Sequence, residues 1–99
     1  MPTLCGGVNP DVKPADDVVV EIVEKVKDEV QTKTGRMFEK FEALLYRTQL
    51  VNGVNYFIKV AVGNDEHLHL RAHKSFQGEI TLSAFQEAKN LEDEIVFFQ

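Results

Sequence analysis

The periodicity of the apolar residues changes once along this chain, and that change limits the folds it can adopt. Up to Gly35 the apolar residues recur at the helical period, and after it they alternate with the period of two that is typical of strands. The helical positions are Val19, Ile22, Val23, Val26 and Val30. The sequence therefore predicts one amphipathic helix followed by a sheet.

Residues 16–35 form the predicted helix, because Asp16 or Asp17 can cap its start and Gly35 can end it. Short turns separate the alternating segments that follow, which predicts antiparallel strands in a meander. Those four segments lie within residues 38–49, 54–62, 67–76 and 80–86. We therefore expect an α+β fold, in which the apolar stripe of the helix covers one face of an antiparallel β-sheet meander.

Length, charge and cysteine content narrow the class of protein. We expect a single domain over residues 1–99, and the three prolines and two glycines within residues 1–15 predict a flexible N-terminal arm. The net charge of −5 argues against binding to nucleic acid or to an acidic membrane surface. The opening residues lack the apolar stretch of a secretory signal, and Cys5 is the single cysteine, so we expect a cytoplasmic protein.

The hairpin between the first two predicted strands carries apolar residues where polar ones are usual. Asn52-Gly53 is a strong hairpin signal, since both residues tolerate positive φ, yet Leu50 and Val51 come directly before it. Alternate turns of a meander lie at the same end of the sheet, so Phe76 of a later turn should lie nearby. The two aliphatic side chains either fold back onto the sheet or project with Phe76 as a surface that docks into a partner's pocket.

No group of residues predicts catalysis. Cys5 lies in the arm with no histidine close in sequence, and a nucleophile needs a base and an orienting group. His67, His69 and His73 share one face of a predicted strand. They could therefore form a zinc site if a third ligand faces them. Because no matching carboxylate or cysteine is evident, we favour histidines on the solvent side or in cross-strand pairs, with no metal and no cofactor.

Five residues at the hairpin carry a resemblance to a known family. Gln49-Leu50-Val51-Asn52-Gly53 fits the Gln-Xaa-Val-Xaa-Gly motif of the cystatins, which inhibit papain-like cysteine proteases. Around this motif the chain resembles the type 1 cystatins, or stefins, along nearly its whole length. The stretches that carry the resemblance are LCGG, TQLVNGVNYFIKV, HLRAHKSFQG and DEIVFF.

The resemblance implies a protein that is not an enzyme and that inhibits cathepsin-like proteases tightly, reversibly and competitively. The arm around Gly6 would occupy the unprimed side of the protease cleft, and two hairpin turns would occupy the primed side. We expect a monomer, with a domain-swapped dimer as an alternative, and no nucleic acid or membrane partner. The implied protease-binding residues are Leu4, Cys5, Gly6, Gly7, Gln49, Leu50, Val51, Asn52, Gly53, Phe76, Gln77 and Gly78.

The chain departs from the usual stefin pattern at three places. Stefins usually carry valine and alanine at the positions of Leu50 and Asn52, and Leu-Pro at the positions of Phe76-Gln77. An aromatic residue is common at the position of His73. These departures bear on the strength and selectivity of inhibition, and they leave open a cystatin-fold interaction protein that does not inhibit proteases.

Overall fold

The computed structural model describes residues 8–98, which contain one helix and five strands. The strands form one sheet in sequence order, and every neighbouring pair is antiparallel. The elements are β1 (Lys13–Pro14), α1 (Asp17–Thr34), β2 (Glu42–Val51), β3 (Gly53–Gly63), β4 (Glu66–Lys74) and β5 (Ile80–Lys89). The predicted α+β meander with a single helix is confirmed, with β1 as a strand that the sequence did not predict.

Helix α1 begins and ends where the sequence predicts. Asp16 Oδ1 accepts a hydrogen bond from the Val19 backbone N–H at 3.0 Å, and Asp16 Oδ2 accepts one from the Tyr46 hydroxyl at 2.7 Å. The bond from Val19, followed by that from Tyr46, lowers the pKa of the Asp16 carboxyl, and Asp16 in turn raises the pKa of Tyr46 to about 12. Gly35 ends the helix at a φ of 73°. Asp16 therefore both caps the helix and connects it to β2.

The main core lies between α1 and one face of the sheet. All five apolar residues of the predicted helical stripe are buried there, which removes their side chains from water and stabilises the packed layers. The buried strand residues that meet the helix are Tyr46, Ile58, Val60, Leu68, Leu70, Ala72 and Leu82. The residues that β3 and β4 contribute fall at alternate positions, as expected for one face of a strand.

The opposite face of the sheet is also covered, by residues 90–98, which we call the C-terminal strap. Phe57 of β3 is fully buried with Ile95 and Phe98, and its ring centroid lies 5.9 Å from those of Phe97 and Phe98. Lys59 is buried on the same face, where its Nζ donates to backbone carbonyls of the strap, including that of Asp93 at 2.5 Å. A second, smaller core thus fixes the strap to the sheet.

Two of the three histidines are buried in the structure. His67 and His69 are 7% and 1% exposed, so for these two residues the solvent-side alternative is wrong and the alternative of cross-strand pairs remains. His69 is the register partner of Lys59, and burial, with Lys59 and Lys89 nearby, lowers the pKa of His69 to about 4. Within residues 8–98 no three side chains of His, Cys, Asp or Glu are grouped to hold a metal ion, and no helix there has the length and apolarity to cross a membrane.

Candidate docking site at the hairpin end of the sheet

Gln49 holds the base of the β2–β3 hairpin. Its side chain is 4% exposed, and its Oε1 accepts a hydrogen bond from Asn55 Nδ2 at 2.9 Å. Gln49 and Asn55 are also register partners across β2 and β3, so the side-chain bond lies directly over the paired backbones. A buried amide pair of this kind fixes the register of the hairpin, because shifting the strands would leave both polar groups without partners.

Gly53 allows the hairpin tip to lie against β4. Of the two residues in the Asn-Gly signal, only Gly53 has a positive φ, at 104°, so Asn52 does not use the conformation that the signal allows for both. A Cβ atom at Gly53 would lie 2.6 Å from His73 Nε2 and 2.7 Å from the Lys74 carbonyl oxygen. The tip therefore needs glycine both for its backbone conformation and for its close contact with β4.

His73 connects the hairpin tip to β4. Its Nε2 lies 2.7 Å from the backbone oxygen of Asn52, and since a carbonyl oxygen only accepts, the imidazole must donate from Nε2. His73 is the second-last residue of β4 and lies beside the β4–β5 turn, so this bond shows that the tip and the later turn lie at the same end of the sheet. The placement predicted from the meander is confirmed for the described residues.

The β4–β5 turn is closed by its own backbone. Ser75 donates its N–H to the Glu79 carbonyl oxygen at 2.8 Å, and Gly78 donates its N–H to the Ser75 carbonyl oxygen at 2.9 Å. Phe76 and Gln77 stand between these bonds at the apex of the turn, and both are exposed. The turn therefore presents a large apolar side chain to solvent.

Three apolar side chains project at this end of the sheet, and we call them the apolar ridge: Leu50, Val51 and Phe76. Their exposed fractions are 70%, 36% and 72%, so the alternative that Leu50 folds back onto the sheet is wrong. The eight residues 49–53 and 76–78 carry no charged side chain in a protein with a net charge of −5. The ridge is therefore a neutral, apolar projection, which is the kind of surface that marks a protein–protein contact.

The described part of the arm enters from the same end. The Asn9 backbone N–H donates to the Thr48 carbonyl oxygen at 2.6 Å, and Arg47 Nε donates to the Asn9 carbonyl oxygen at 2.8 Å. Lys13 pairs with Tyr46 further along β2, so the chain from residue 13 back to residue 9 runs towards the tip. The arm positions Leu4, Cys5, Gly6 and Gly7 lie outside the described residues.

Three surface clefts in the described structure lie away from the ridge. They have volumes of 340 to 390 Å³ and are lined by residues of the helix, of the segments beside it, and of the strap and the Asp65 turn. None of these three is lined by residues 49–53 or 76–78. The described structure thus has a neutral, apolar projection at one end of the sheet, formed by the apolar ridge.

Comparison with known proteins identifies the family. Residues 6–93 match the cystatin domain. The chain is 39% identical to cystatin-B of Oplegnathus fasciatus over 99% of its length and all of that protein. It is 41% identical to human cystatin-A over 94% of its length and 97% of that protein. It is 39% identical to leukocyte cysteine proteinase inhibitor 1 of Sus scrofa, over 96% of this chain and 94% of that protein.

The chain belongs to the cystatin family, and its relatives are the stefin-type cystatins A and B. The match confirms the resemblance that was stated from the hairpin motif. Members of this family are protease inhibitors rather than enzymes.

Proposed function

We propose that this chain is a reversible, competitive inhibitor of papain-like cysteine proteases of the cathepsin type, which inserts its hairpin end into the active-site cleft. The observation that carries the proposal is the apolar ridge of Leu50, Val51 and Phe76, held at one end of the sheet by the bond between His73 and Asn52. The family to which the chain belongs supports it, since a relative is named a cysteine proteinase inhibitor.

The ridge supplies a large part of the binding free energy but not all of it. Full burial of an exposed aliphatic or aromatic side chain contributes about 1.5–3 kcal/mol, and Val51 is already largely covered, so the ridge gives less than about 9 kcal/mol. Association costs roughly 4–15 kcal/mol in lost freedom of motion. The ridge alone would therefore bind weakly, and tight inhibition requires further contacts, which we assign to Leu4, Cys5, Gly6 and Gly7 in the arm.

The rigid hairpin lowers the cost of binding. The Gln49–Asn55 side-chain bond and the tight packing at Gly53 hold the tip in one conformation before a partner arrives. A loop that is already ordered loses little conformational entropy on binding. We therefore assign Gln49, Asn52 and Gly53 to the shape of the tip, and Gln77 and Gly78 to the shape of the second turn beside Phe76.

An inhibitor that enters a protease cleft must avoid cleavage. The two turns present sharply bent backbone, whereas hydrolysis requires a substrate carbonyl to lie in the attack geometry of the catalytic thiol. Gly6 has no side chain, so the arm backbone could pass close to that thiol and turn away without offering a bond for cleavage. We therefore place the arm on the unprimed side and the two turns on the primed side of the cleft.

The proposal includes where and in what state the inhibitor acts. We place this single-domain protein in the cytoplasm as a monomer, because its single cysteine fits a reducing compartment. A dimer formed by exchange of the hairpin segment is the alternative state, and size-exclusion chromatography after mild heating separates the two.

The experiment is titration of active papain and of a panel of cathepsins with purified protein and matched variants. Val51→Asp and Phe76→Asp should each weaken inhibition by roughly 100-fold or more, because each removes an apolar contact and places a charge in the interface. Met37→Asp is the control, since Met37 is 83% exposed and lies just after the helix, outside the ridge.

The outcomes of this titration are distinct. Inhibition by the wild-type protein that is lost in the ridge variants and kept in Met37→Asp supports the proposal. Absence of inhibition of every protease at micromolar wild-type protein would instead support a cystatin-fold interaction protein without protease inhibition. Inhibition that Val51→Asp and Phe76→Asp leave unchanged would mean that another surface contacts the protease.

A further inference from the structure

Asn52 combines a reactive sequence with an exposed position. An asparagine followed by glycine is the pair in which the side-chain amide is most easily attacked by the next backbone nitrogen, because glycine has no side chain to block the approach. Asn52 is exposed at the hairpin tip, directly before Gly53. The other exposed asparagines of the described residues are Asn9, Asn64 and Asn90. Asn9 is followed by Pro10, whose nitrogen carries no proton to lose, and Asn64 and Asn90 are followed by Asp65 and Leu91, whose side chains hinder the same reaction.

His73 acts on the peptide group that would react. The carbonyl oxygen of Asn52 and the backbone nitrogen of Gly53 belong to one peptide unit, and His73 Nε2 donates to that oxygen at 2.7 Å. Loss of the proton from the Gly53 nitrogen places negative charge on the Asn52 oxygen. A fixed donor at this oxygen stabilises the charge, as donors do in an oxyanion hole. The geometry therefore favours loss of the Gly53 proton, which the attack requires.

We propose that Asn52–Gly53 is a site of spontaneous self-modification, in which His73 is the positioning residue that activates the peptide group. The deprotonated Gly53 nitrogen attacks Asn52 Cγ, the bond from Cγ to the side-chain nitrogen breaks, and ammonia leaves with the proton. The product is a five-membered succinimide. Water then opens either carbonyl of the ring, which leaves aspartate or isoaspartate at position 52. No oxidant, metal or further reactant takes part.

The modification changes the surface that docks. It places a carboxylate beside Leu50 and Val51, in a stretch that carries no charge in the unmodified chain. Isoaspartate also adds a methylene group to the backbone of a three-residue tip, which disturbs the contact with His73. This consequence rests on the proposed protease inhibition, because a charge carried into an apolar cleft loses its hydration. The unmodified inhibitor would thus have a limited active lifetime.

Mass spectrometry of the intact chain tests the chemistry without any protease. The protein is incubated for several weeks at mildly alkaline pH and physiological temperature, then digested with trypsin, and the peptide 48–59 is sequenced. We expect a mass gain of one dalton at Asn52 and labelling by an isoaspartyl methyltransferase. Asn55 in the same peptide is buried and followed by Tyr56, and it serves as an internal control. Asn52→Gln should remove the mass gain.

Variants of His73 test its role. His73→Phe removes the donor and should slow conversion roughly threefold or more, as expected for the loss of one hydrogen bond. His73→Gln keeps a donor and should convert faster than His73→Phe. A stable mass at Asn52, or conversion chiefly at Asn64 or Asn90, overturns the site. An unchanged or faster rate in His73→Phe overturns the role of His73. Aged and fresh protein are then compared in the protease titration, where equal inhibition overturns the consequence for docking.

Discussion

Replacement of Gly53 by alanine tests how the hairpin tip contacts β4. An L-residue with a φ in the left-handed region costs roughly 1–2 kcal/mol, and Gly53 has a φ of 104°. The new Cβ would also lie 2.7 Å from the Lys74 carbonyl oxygen, which is backbone and cannot rotate away. Overpacking of this kind costs roughly 1–3 kcal/mol. We therefore expect Gly53→Ala to lower the free energy of unfolding by about 2–5 kcal/mol.

Gly63 offers a matched control for this prediction. It has a nearly equal φ of 97°, but a Cβ there would meet no atom within 4 Å. Gly63→Ala should therefore carry the backbone cost alone, and the difference between the two variants measures the contact with β4. Gly63 also lies at the opposite end of β3, so its replacement should leave protease inhibition unchanged while Gly53→Ala weakens it.

Urea unfolding, followed by circular dichroism, measures the free energy of unfolding of both variants, and their midpoints can be compared directly where their m-values are equal. The double variant Gly53→Ala/His73→Ala should regain part of the loss, because the imidazole is one of the two groups that the new methyl would contact. If Gly53→Ala and Gly63→Ala unfold at the same urea concentration, the tip does not pack against β4. Packing against β4 would then not be what holds the hairpin tip rigid.

Three further predictions concern the parts that hold the sheet. Lys59→Ala should lower the free energy of unfolding by about 3 kcal/mol, because the backbone carbonyls of the strap lose a charged donor. Amide hydrogen exchange should then show the strap opening first. Unchanged exchange in the strap would contradict this prediction. Because the pKa of Asp16 is lower in the folded chain than its unfolded value of about 3.9, the ionised carboxyl stabilises the fold above that pH. This stability is lost as the pH falls and the carboxyl is protonated. Asp16→Asn should therefore lose less stability than the wild-type protein in acid titration. The pKa of His69, lowered to about 4, means that the unfolded chain binds more protons between about pH 4 and 6.5. Stability should therefore fall as the pH falls through that window, and an equal fall in His69→Leu would contradict the assignment.

The helix and the hairpin end could be predicted because their signals are local. The spacing of the valines in α1, the cap at Asp16 and the stop at Gly35 lie within the helix or beside it, and the structure uses all three. The Asn52–Gly53 pair likewise predicted a reversal at the position where β2 meets β3. The common end of the two turns follows from the meander alone.

The C-terminal strap could not be predicted from alternation. Period-two patterning of β3 predicts which residues share a face, but it does not say whether a distant segment covers the second face. A signal was nevertheless present, since Phe57 alternates with the core residue Ile58 and so lies on the other face of β3, and residues 95–98 form an apolar run that includes Ile95 and Phe98. The burial of His67 and His69 follows from this long-range contact and from no feature of β4 itself.

The arm strand and the bond from His73 were also beyond sequence reasoning. β1 has two residues, Lys13 and Pro14, and no alternation can be read from so short a segment. His73 was noted as a departure from the stefin pattern, but its donor role depends on the 2.7 Å approach of Asn52 across the tip. Contacts between residues that are distant in sequence are set by the final packing, which local patterns do not specify.

A crystal structure of the complex with a papain-like protease, its catalytic thiol blocked by a small reagent, measures how the chain docks. We expect Val51 and Phe76 both to lie inside the cleft, within contact distance of its walls, while the helix and the strap stay in solvent. A complex in which the helix or the strap contacts the protease and the two turns face solvent would contradict this expectation.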